Sequence, residues 1–413
     1  MITFDQLHLI PPLQKSLQEQ GFHTPTPIQQ RTIPAILQGR DILGCAQTGS
    51  GKTAAYLLPI LQMLAPLPAS PKGSPYALVV APTRELALQI ESHCTRLSKH
   101  IDVHSEVLFG GVQPEHQIKK IQSRSIDILI ATPGRLLDLI VKKHLSITST
   151  PLLVLDEVDR MMDMGFIRDI NRIYAQLPKK KQCLFFSATL PSHMKKIAHR
   201  LLYKPILLDI KISDQPKNIT QTAIFVTIQN KYPLLLSLLK KNTEPSMIFT
   251  KTKKTAQRLC QLLQKEGLFV TSIHGDKSQQ ERIKAMQTFA NRDCSILVAT
   301  DVAARGIDID HIQYVYNHNI PQTPETYVHR IGRTGRAGRK GYSISLCDIS
   351  EANNLVQIES LIETKLRDHV EHKWHCAQSF QQTIIHRTEK QQERKKTSKK
   401  KRRTPRRKTR RTR

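Results

Sequence analysis

The stretch AQTGSGKT, residues Ala46–Thr53, joins an apolar run to a segment with helical spacing. It follows the run ILGCA and leads into KTAAYLLPILQML, whose apolar residues recur at the intervals of an α-helix. A strand, a glycine-containing turn and a helix in this order form the repeating unit of α/β folds. The stretch therefore predicts a sheet that is covered by helices.

Apolar runs of similar length recur along most of the chain, and segments with helical spacing such as RELALQIESHCTRL lie between them. This alternation predicts an α/β fold with parallel sheets, in which ligands bind beyond the carboxyl ends of the strands. The further predicted strands are ALVVAP, VLFG, IDILIAT, LLVLDE and CLFFSAT in the first half and AIFVTI, SMIFT, FVTSIHG, SILVATD, YVYNH and YSISLC in the second.

A polar connector with a proline, LLDIKISDQPKNITQ, interrupts this rhythm near the middle of the chain. We therefore predict two tandem domains, residues 1–208 and 219–366, joined by a linker at 209–218. Residues 367–413 form a basic tail that we predict to be largely disordered from about residue 387, because it has almost no apolar residues.

The net charge of +29 is uneven, since 16 of the 63 Lys and Arg residues lie between Arg387 and Arg413. The rest of the chain is also basic, so a polyanion, above all a nucleic acid, is the expected partner. A solubilising role is the alternative for the tail, although such a run binds phosphates by counterion release in any case.

Several other classes of protein are disfavoured. No apolar run approaches the length needed to cross a bilayer, and the first twenty residues lack the pattern of a secretory signal. The seven cysteines are scattered without a metal-type spacing, which favours a reducing compartment and hence a cytoplasmic protein without membrane contact.

The residue types in AQTGSGKT suit the binding of nucleotide phosphates. Gly49 and Gly51 let backbone amides close around phosphate oxygens at the start of a helix, and Lys52 would reach the outer phosphates. A glycine turn with an accidental Lys-Thr pair is disfavoured because strand and helix flank it in the right order. Ala46 stands where this pattern usually has its first glycine. The predicted phosphate contacts are Ala46, Gln47, Thr48, Gly49, Ser50, Gly51, Lys52 and Thr53.

A second stretch, LLVLDEVDR, places acids directly after a buried-strand pattern. Asp156 at the strand end would hold Mg²⁺ together with the Thr53 hydroxyl, partly through water, and Glu157 would orient or deprotonate the attacking water. An acidic residue at a strand end is usually just a solvent-exposed side chain. Combined with Lys52, it indicates ATP hydrolysis.

Further motifs lie in order along the chain: GFHTPTPIQ, AQTGSGKT, PTRELA, TPGR, DEVD, SAT, HGDKSQQER, ATDVAARGID and HRIGRTGRAGR. Their order and spacing are those of the DEAD-box RNA helicases, which the chain resembles over nearly all of residues 4–350. The wording around DEVDRMMDMGF, the compact core and the basic tail resemble the bacterial RhlE-type subgroup. The resemblance implies two RecA-like domains.

The resemblance also implies roles at the nucleotide. Phe22 would stack on adenine and Gln29 would bond its edge, with Phe4 as the isolated upstream aromatic residue. Arg333 and Arg336 share a helical face if their segment is helical. They would be arginine fingers that complete the site when the domains close, and a basic surface helix is the alternative. Further contacts are implied for Thr24 and Asp308, and roles in coupling for Asp159, Ser187, Thr189 and His329.

Hydroxyls, amides and arginines in PTR and TPGR suit contacts with an RNA backbone, although each alone is also typical of a turn with a surface arginine. The implied RNA contacts are Pro82, Thr83, Arg84, Gly111, Thr132, Pro133, Gly134 and Arg135 in the first domain and Gln279, Arg282, Thr300 and Arg305 in the second.

Val158 departs from the family, whose box reads Asp-Glu-Ala-Asp. Valine is larger and β-branched but is neither metal ligand nor base, so we expect hydrolysis to survive with neighbours repacked around it. We expect the valine to affect the packing against the SAT motif, Ser187–Thr189, and hence the efficiency of coupling. A chain that hydrolyses ATP but unwinds poorly is the alternative.

We therefore expect an ATP-dependent RNA helicase with a monomeric core and with ATP and Mg²⁺ as cofactors. It would bind single-stranded or short duplex RNA across an interdomain cleft without sequence preference, in ribosomal or messenger ribonucleoprotein. An ATP-gated RNA clamp or annealing chaperone is the second hypothesis. A DNA translocase is disfavoured by the motif wording.

Overall fold

The computed structural model describes residues 3–46, 50–188, 192–209, 218–304, 311–335, 339–369 and 371–403. They form two compact units, the first ending at residue 209 and the second starting at residue 218 in the described ranges. Residues 210–217 of the predicted linker lie outside the described residues. In the described part of the chain, no helix is long and apolar enough to cross a membrane.

The first unit is built on a seven-stranded parallel sheet of order β3-β4-β2-β5-β6-β1-β7. The six strands predicted from apolar runs are confirmed, and β7, at the start of the polar connector, is an additional edge strand. Their bounds are β1 Ile42–Cys45, β2 Ala77–Val80, β3 Ser105–Leu108, β4 Ile128–Ala131, β5 Leu152–Leu155, β6 Gln182–Ser187 and β7 Ile206–Asp209.

Helices cover both faces of this sheet, because successive side chains of each strand are buried on opposite sides. In β2, for example, Ala77 and Val79 belong to one apolar cluster and Leu78 and Val80 to the other, and all four are fully buried. The helices are α1 Pro11–Glu19, α2 Pro27–Leu37, α3 Lys52–Leu64, α4 Arg84–Leu97, α5 Glu115–Ser123, α6 Pro133–Val141, α7 Val158–Asp163, α8 Ile167–Gln176 and α9 Ser192–Leu201, and a 3₁₀ turn spans Phe4–Leu7.

The second unit repeats this topology strand for strand, with a parallel sheet of order β10-β11-β9-β12-β13-β8-β14. Its strands are β8 Ile219–Phe225, β9 Ser246–Thr250, β10 Val270–Ile273, β11 Ile296–Thr300, β12 Tyr314–Asn317, β13 Gly341–Cys347 and β14 Arg367–His369. Its helices are α10 Lys231–Lys241, α11 Lys253–Lys265, α12 Gln279–Ala290, α13 Asp301–Ala304, α14 Pro324–Ile331, α15 Ala352–Ile362 and α16 Ala377–Arg403, with 3₁₀ turns at Ile228–Asn230 and Ile349–Glu351.

The predicted end of the second domain at residue 366 is wrong. Strand β14 pairs with β8 in the same sheet, and α16 packs against α15. The predicted start of the disordered tail, at about residue 387, falls inside α16. The Arg387 guanidinium donates to both oxygens of Glu359 (2.6 and 2.8 Å) and of Asp368 (both 2.9 Å), and this side chain is only 10% exposed. Arg387 therefore belongs to the folded unit.

Arg387→Met should loosen α16, because it leaves two largely buried carboxylates without their main partner. Removing one member of a buried ion pair costs about 3 kcal/mol, which corresponds to roughly 100-fold faster opening. Hydrogen exchange over residues 380–392 measures this effect. The control Arg367→Met removes an exposed arginine of β14 and should leave exchange unchanged. Equal exchange in the two variants would contradict the anchoring role of Arg387.

Candidate active site

The carboxyl ends of β5, β6 and β1 lie side by side, so the residues that follow these strands meet at one edge of the first sheet. Two backbone hydrogen bonds continue the alignment beyond the strands. The Ala46 N–H donates to the Ser187 carbonyl (3.0 Å), and the Asp156 N–H donates to the Val80 carbonyl (3.0 Å). The predicted nucleotide loop, the acid box (Asp156–Asp159) and the SAT motif therefore start from neighbouring positions.

Lys52 is the first residue of α3 and is 7% exposed. Its Nζ donates to the Ala46 carbonyl (2.7 Å), so the lysine side chain reaches back to the residue that follows β1. The turn before it requires glycine, because Gly51 has φ +87° and a Cβ there would lie 2.5 Å from Gln29 Nε2. Of the predicted phosphate contacts, Gln47, Thr48 and Gly49 lie outside the described residues.

Asp156 is buried at the end of β5, with 2% of its surface exposed. Each of its carboxylate oxygens accepts a hydrogen bond, Oδ2 from the Tyr56 hydroxyl (3.0 Å) and Oδ1 from the Glu157 N–H (2.9 Å). The pKa of Asp156 is raised to about 6, mainly by burial. The positive charge of Lys52 opposes this rise, and the negative charge of Glu157 adds to it. The lysine thus favours the ionised form of a carboxylate that burial would neutralise.

Glu157 adopts the left-handed conformation, with φ 54° and ψ 52°, directly before α7. This conformation costs a residue with a Cβ about 1–2 kcal/mol, and such strain often occurs at functional sites. The Glu157 carboxylate forms an ion pair with Arg160, one turn along α7, and both side chains are largely buried. The ion pair therefore restricts where the predicted base can point.

Val158 is 1% exposed and belongs to the apolar cluster that contains Leu155, Met161 and Phe185. The substituted position of the box is therefore part of the core. Asp159 is 6% exposed, and its Oδ1 accepts from the Arg160 N–H (3.0 Å). Of its predicted coupling partners, Ser187 is fully buried at the end of β6 and Thr189 lies outside the described residues.

The predicted adenine site is only partly assembled. Gln29 is 3% exposed and connects the start of α2 to the loop, since its Oε1 accepts from the Thr26 N–H (2.8 Å) and its Nε2 donates to the Gly51 carbonyl (3.2 Å). Phe22 is 40% exposed, and Thr24 is also exposed. Phe4, in contrast, is 5% exposed in the apolar core, so the structure does not present it to a ligand.

The predicted RNA motifs of the first unit converge beyond β2, β3 and β4. The Arg84 guanidinium lies 3.9 Å from the ring centre of Phe109, and a Cβ on Gly111 would be 3.8 Å from Arg84 Nη1. Arg135 donates to the Val112 carbonyl (2.8 Å) and to Gln117 Oε1 (2.9 Å). Thr83 directly precedes α4, and Thr132 directly precedes α6. Helix α6 starts with Pro133, the exposed Gly134 and Arg135, whereas Pro82 is buried.

The second unit holds the remaining predicted residues. Helix α14 ends at Ile331, so the condition under which Arg333 and Arg336 would share a helical face is not met at Arg333. Gly332 ends the helix, and Arg333 Nε donates to the His329 carbonyl (3.3 Å). Gln279 and Arg282 belong to the first turn of α12, and Thr300 ends β11. Arg305, Asp308 and Arg336 lie outside the described residues.

Three residues with close contacts to these motifs were missed. Tyr56 bonds Asp156, Arg160 pairs with Glu157, and Arg330 forms two hydrogen bonds to Asp301 (2.6 and 2.9 Å) while only 2% exposed. Each lies within or next to a quoted motif. Their partners, however, become visible only in the folded chain.

A buried lysine at the start of a helix, near a buried strand-end aspartate and a glutamate, is the arrangement typical of nucleotide-hydrolysing sites of the P-loop class. The chain matches two family descriptions, DEAD/DEAH box helicase over residues 26–197 and helicase conserved C-terminal domain over residues 230–338. The chain belongs to the DEAD-box helicase family.

Relatives named DEAD-box ATP-dependent RNA helicase support this assignment. RhpA of Helicobacter pylori is 40% identical over 88% of this chain and 73% of its own length, and CshA of Bacillus cereus is 40% identical over 89% and 69%. The RhlE-type subgroup stays a prediction.

Solved structures confirm the predicted tandem RecA-like fold. S. cerevisiae Dbp5 bound to RNA and ADP BeF3 has a TM-score of 0.81 at 32% identity, covering 89% of this chain and 95% of that one. Mss116 bound to single-stranded RNA and UDP-BeF has a TM-score of 0.82 at 28% identity, covering 90% and 81%.

Gly51→Ala should weaken nucleotide binding, because the new methyl group meets Gln29 and the backbone conformation disfavours alanine by about 1–2 kcal/mol. Titration with a fluorescent ADP analogue should show roughly tenfold lower affinity. Gly134→Ala is the matched control, since nothing lies within 4 Å of the added carbon. Unchanged affinity in Gly51→Ala would show that the turn is not part of the site.

Proposed function

We propose that this chain couples ATP hydrolysis to the local separation of short RNA duplexes. The observation that carries the proposal is the buried Asp156 carboxylate beside Lys52 and Glu157 at the edge of a RecA-like sheet. Family membership supplies the RNA helicase class. The seven free thiols support a cytoplasmic location.

At the nucleotide, Lys52 and the loop amides hold the phosphates, and Phe22 and Gln29 hold the base. Asp156 and Thr53 suit Mg²⁺, a hard cation that prefers carboxylate, hydroxyl and water oxygens. The Tyr56 hydroxyl donates to Asp156 Oδ2, and Thr53 lies one turn before Tyr56 in the same helix. The ion neutralises charge on the phosphates when bound. Glu157, held by Arg160, accepts the proton of the attacking water.

RNA binds through its backbone and therefore without sequence preference. In the first unit, the surface formed by Arg84, Gly111 and Arg135 supports this proposal, because it combines guanidinium groups with exposed backbone. In the second unit, the proposed contacts are those of the α12 and β11 motifs. Arg333 and Arg336 act on the transferred phosphate, and Asp159, Ser187, Thr189 and His329 transmit the nucleotide state.

Glu157→Gln should lower RNA-stimulated ATP turnover at least 100-fold, because it removes a general base whose contribution is about 10²–10⁴-fold. Turnover and release of a labelled strand are followed together, with and without a short RNA duplex. Glu91→Gln, on α4 with its carboxylate bonded to the Thr95 hydroxyl, should match the natural chain. Wild-type turnover in Glu157→Gln would contradict the assigned role.

The strand-release measurement also separates the two proposed functions. Release that requires ATP and stops in Glu157→Gln supports the helicase. Turnover that rises with RNA while strands stay paired, or anneal faster, favours the clamp or annealing chaperone, with Val158 as the departure that reduces coupling.

Deletion of residues 393–413 should weaken RNA binding and reduce its salt dependence, because this segment is strongly basic. The shortened chain loses the phosphate contacts that these lysines and arginines would make. The deletion keeps Arg387 and its anchor. Affinities for the same duplex at several salt concentrations test this, with RNA-independent ATP turnover as the control. An unchanged slope of affinity against salt would rule out the tail as an RNA tether.

A further inference from the structure

Tyr56 is a fully buried residue of α3 whose hydroxyl reaches the acid box. Its ring packs against Phe186 with the centroids 5.3 Å apart, inside the apolar core of the first unit. The hydroxyl donates to Asp156 Oδ2 (3.0 Å), and Thr53 lies one turn earlier in the same helix. Tyr56 thus contacts the carboxylate that is proposed to face the metal.

This contact fixes the orientation of the Asp156 carboxylate. A buried tyrosine hydroxyl needs a hydrogen-bond partner, and a carboxylate is a strong one. Oδ2 accepts from Tyr56 and Oδ1 accepts from the Glu157 N–H (2.9 Å), so rotation about the last side-chain bond would break both bonds. Each oxygen retains acceptor capacity for a cation or a water.

We propose that Tyr56 is a positioning residue that holds Asp156 in the orientation needed to bind Mg²⁺ with the nucleotide. The proposal rests on the proposed ATP-hydrolysing function. A hydrogen-bond donor behind a metal-binding carboxylate typically changes metal affinity by about 10–100-fold. Loss of the hydroxyl should therefore change how nucleotide binding depends on Mg²⁺. The part of the affinity that comes from the base and the loop should remain.

The test compares the full-length chain with Tyr56→Phe, which keeps the ring and removes the hydroxyl. A fluorescent ADP analogue is titrated at a series of Mg²⁺ concentrations and in EDTA. We expect the Mg²⁺ concentration that gives half of the Mg²⁺-dependent increase in nucleotide affinity to be about tenfold higher in Tyr56→Phe. The nucleotide affinity in EDTA should be unchanged. Tyr327→Phe is the matched control, because Tyr327 is fully buried and donates to Gln221 Oε1 (3.0 Å) in the second unit.

A second variant separates positioning from packing. Phe186→Leu loosens the ring contact and keeps the tyrosine hydroxyl, so it should lower the thermal unfolding temperature without shifting the Mg²⁺ dependence. An equal shift in Phe186→Leu and Tyr56→Phe would overturn the proposal, and so would a wild-type Mg²⁺ dependence in Tyr56→Phe. If the natural chain binds the nucleotide with no Mg²⁺ dependence, the proposed role of Asp156, and not only that of Tyr56, fails.

Discussion

The burial of two opposite charges at one sheet edge is the constraint on which the site depends. Lys52 is 7% exposed and Asp156 is 2% exposed, and a buried charge is costly unless other groups satisfy it. The parallel pairing of β1, β6 and β5 places both residues at neighbouring strand ends. The Ala46 carbonyl, the Tyr56 hydroxyl and the Glu157 N–H then satisfy their polar atoms. The glycine turn, the helix start and the acid box therefore act together to stabilise the two buried charges.

The second unit shows how the same topology treats a lysine at the corresponding place. Lys231 is the first residue of α10, which follows β8 as α3 follows β1. It is 1% exposed, and its Nζ contacts Asp348 Oδ2 (2.8 Å) and Glu351 Oε2 (2.6 Å). Two carboxylates of the chain itself neutralise this lysine, whereas Lys52 donates to a backbone carbonyl. The two units thus share a fold and differ in the charge around one position.

Local patterns in the sequence predict much of this structure. Strands buried on both faces are continuous apolar runs, so the central strands of both sheets were found, and a short loop between strand and helix revealed Lys52 and Gly51. The short edge strand β14 lacks such a run, and the apolar residues of β7 run directly into the polar connector. Contacts between distant residues also leave no local pattern: Arg387 meets Glu359, which is 28 residues away, and Tyr56 meets Asp156, which is 100 residues away. Phe4 looked like an isolated aromatic residue until packing placed it in the core.

The central claim is that Lys52 and Asp156 form a nucleotide site in the first unit while Lys231 is satisfied by its own acids. The most direct measurement is calorimetric titration of the full-length chain, natural and Lys52→Ala, with ADP and Mg²⁺. The account predicts one bound nucleotide per chain and loss of binding in Lys52→Ala. Two nucleotides per chain, or binding that survives Lys52→Ala with unchanged affinity, would contradict it.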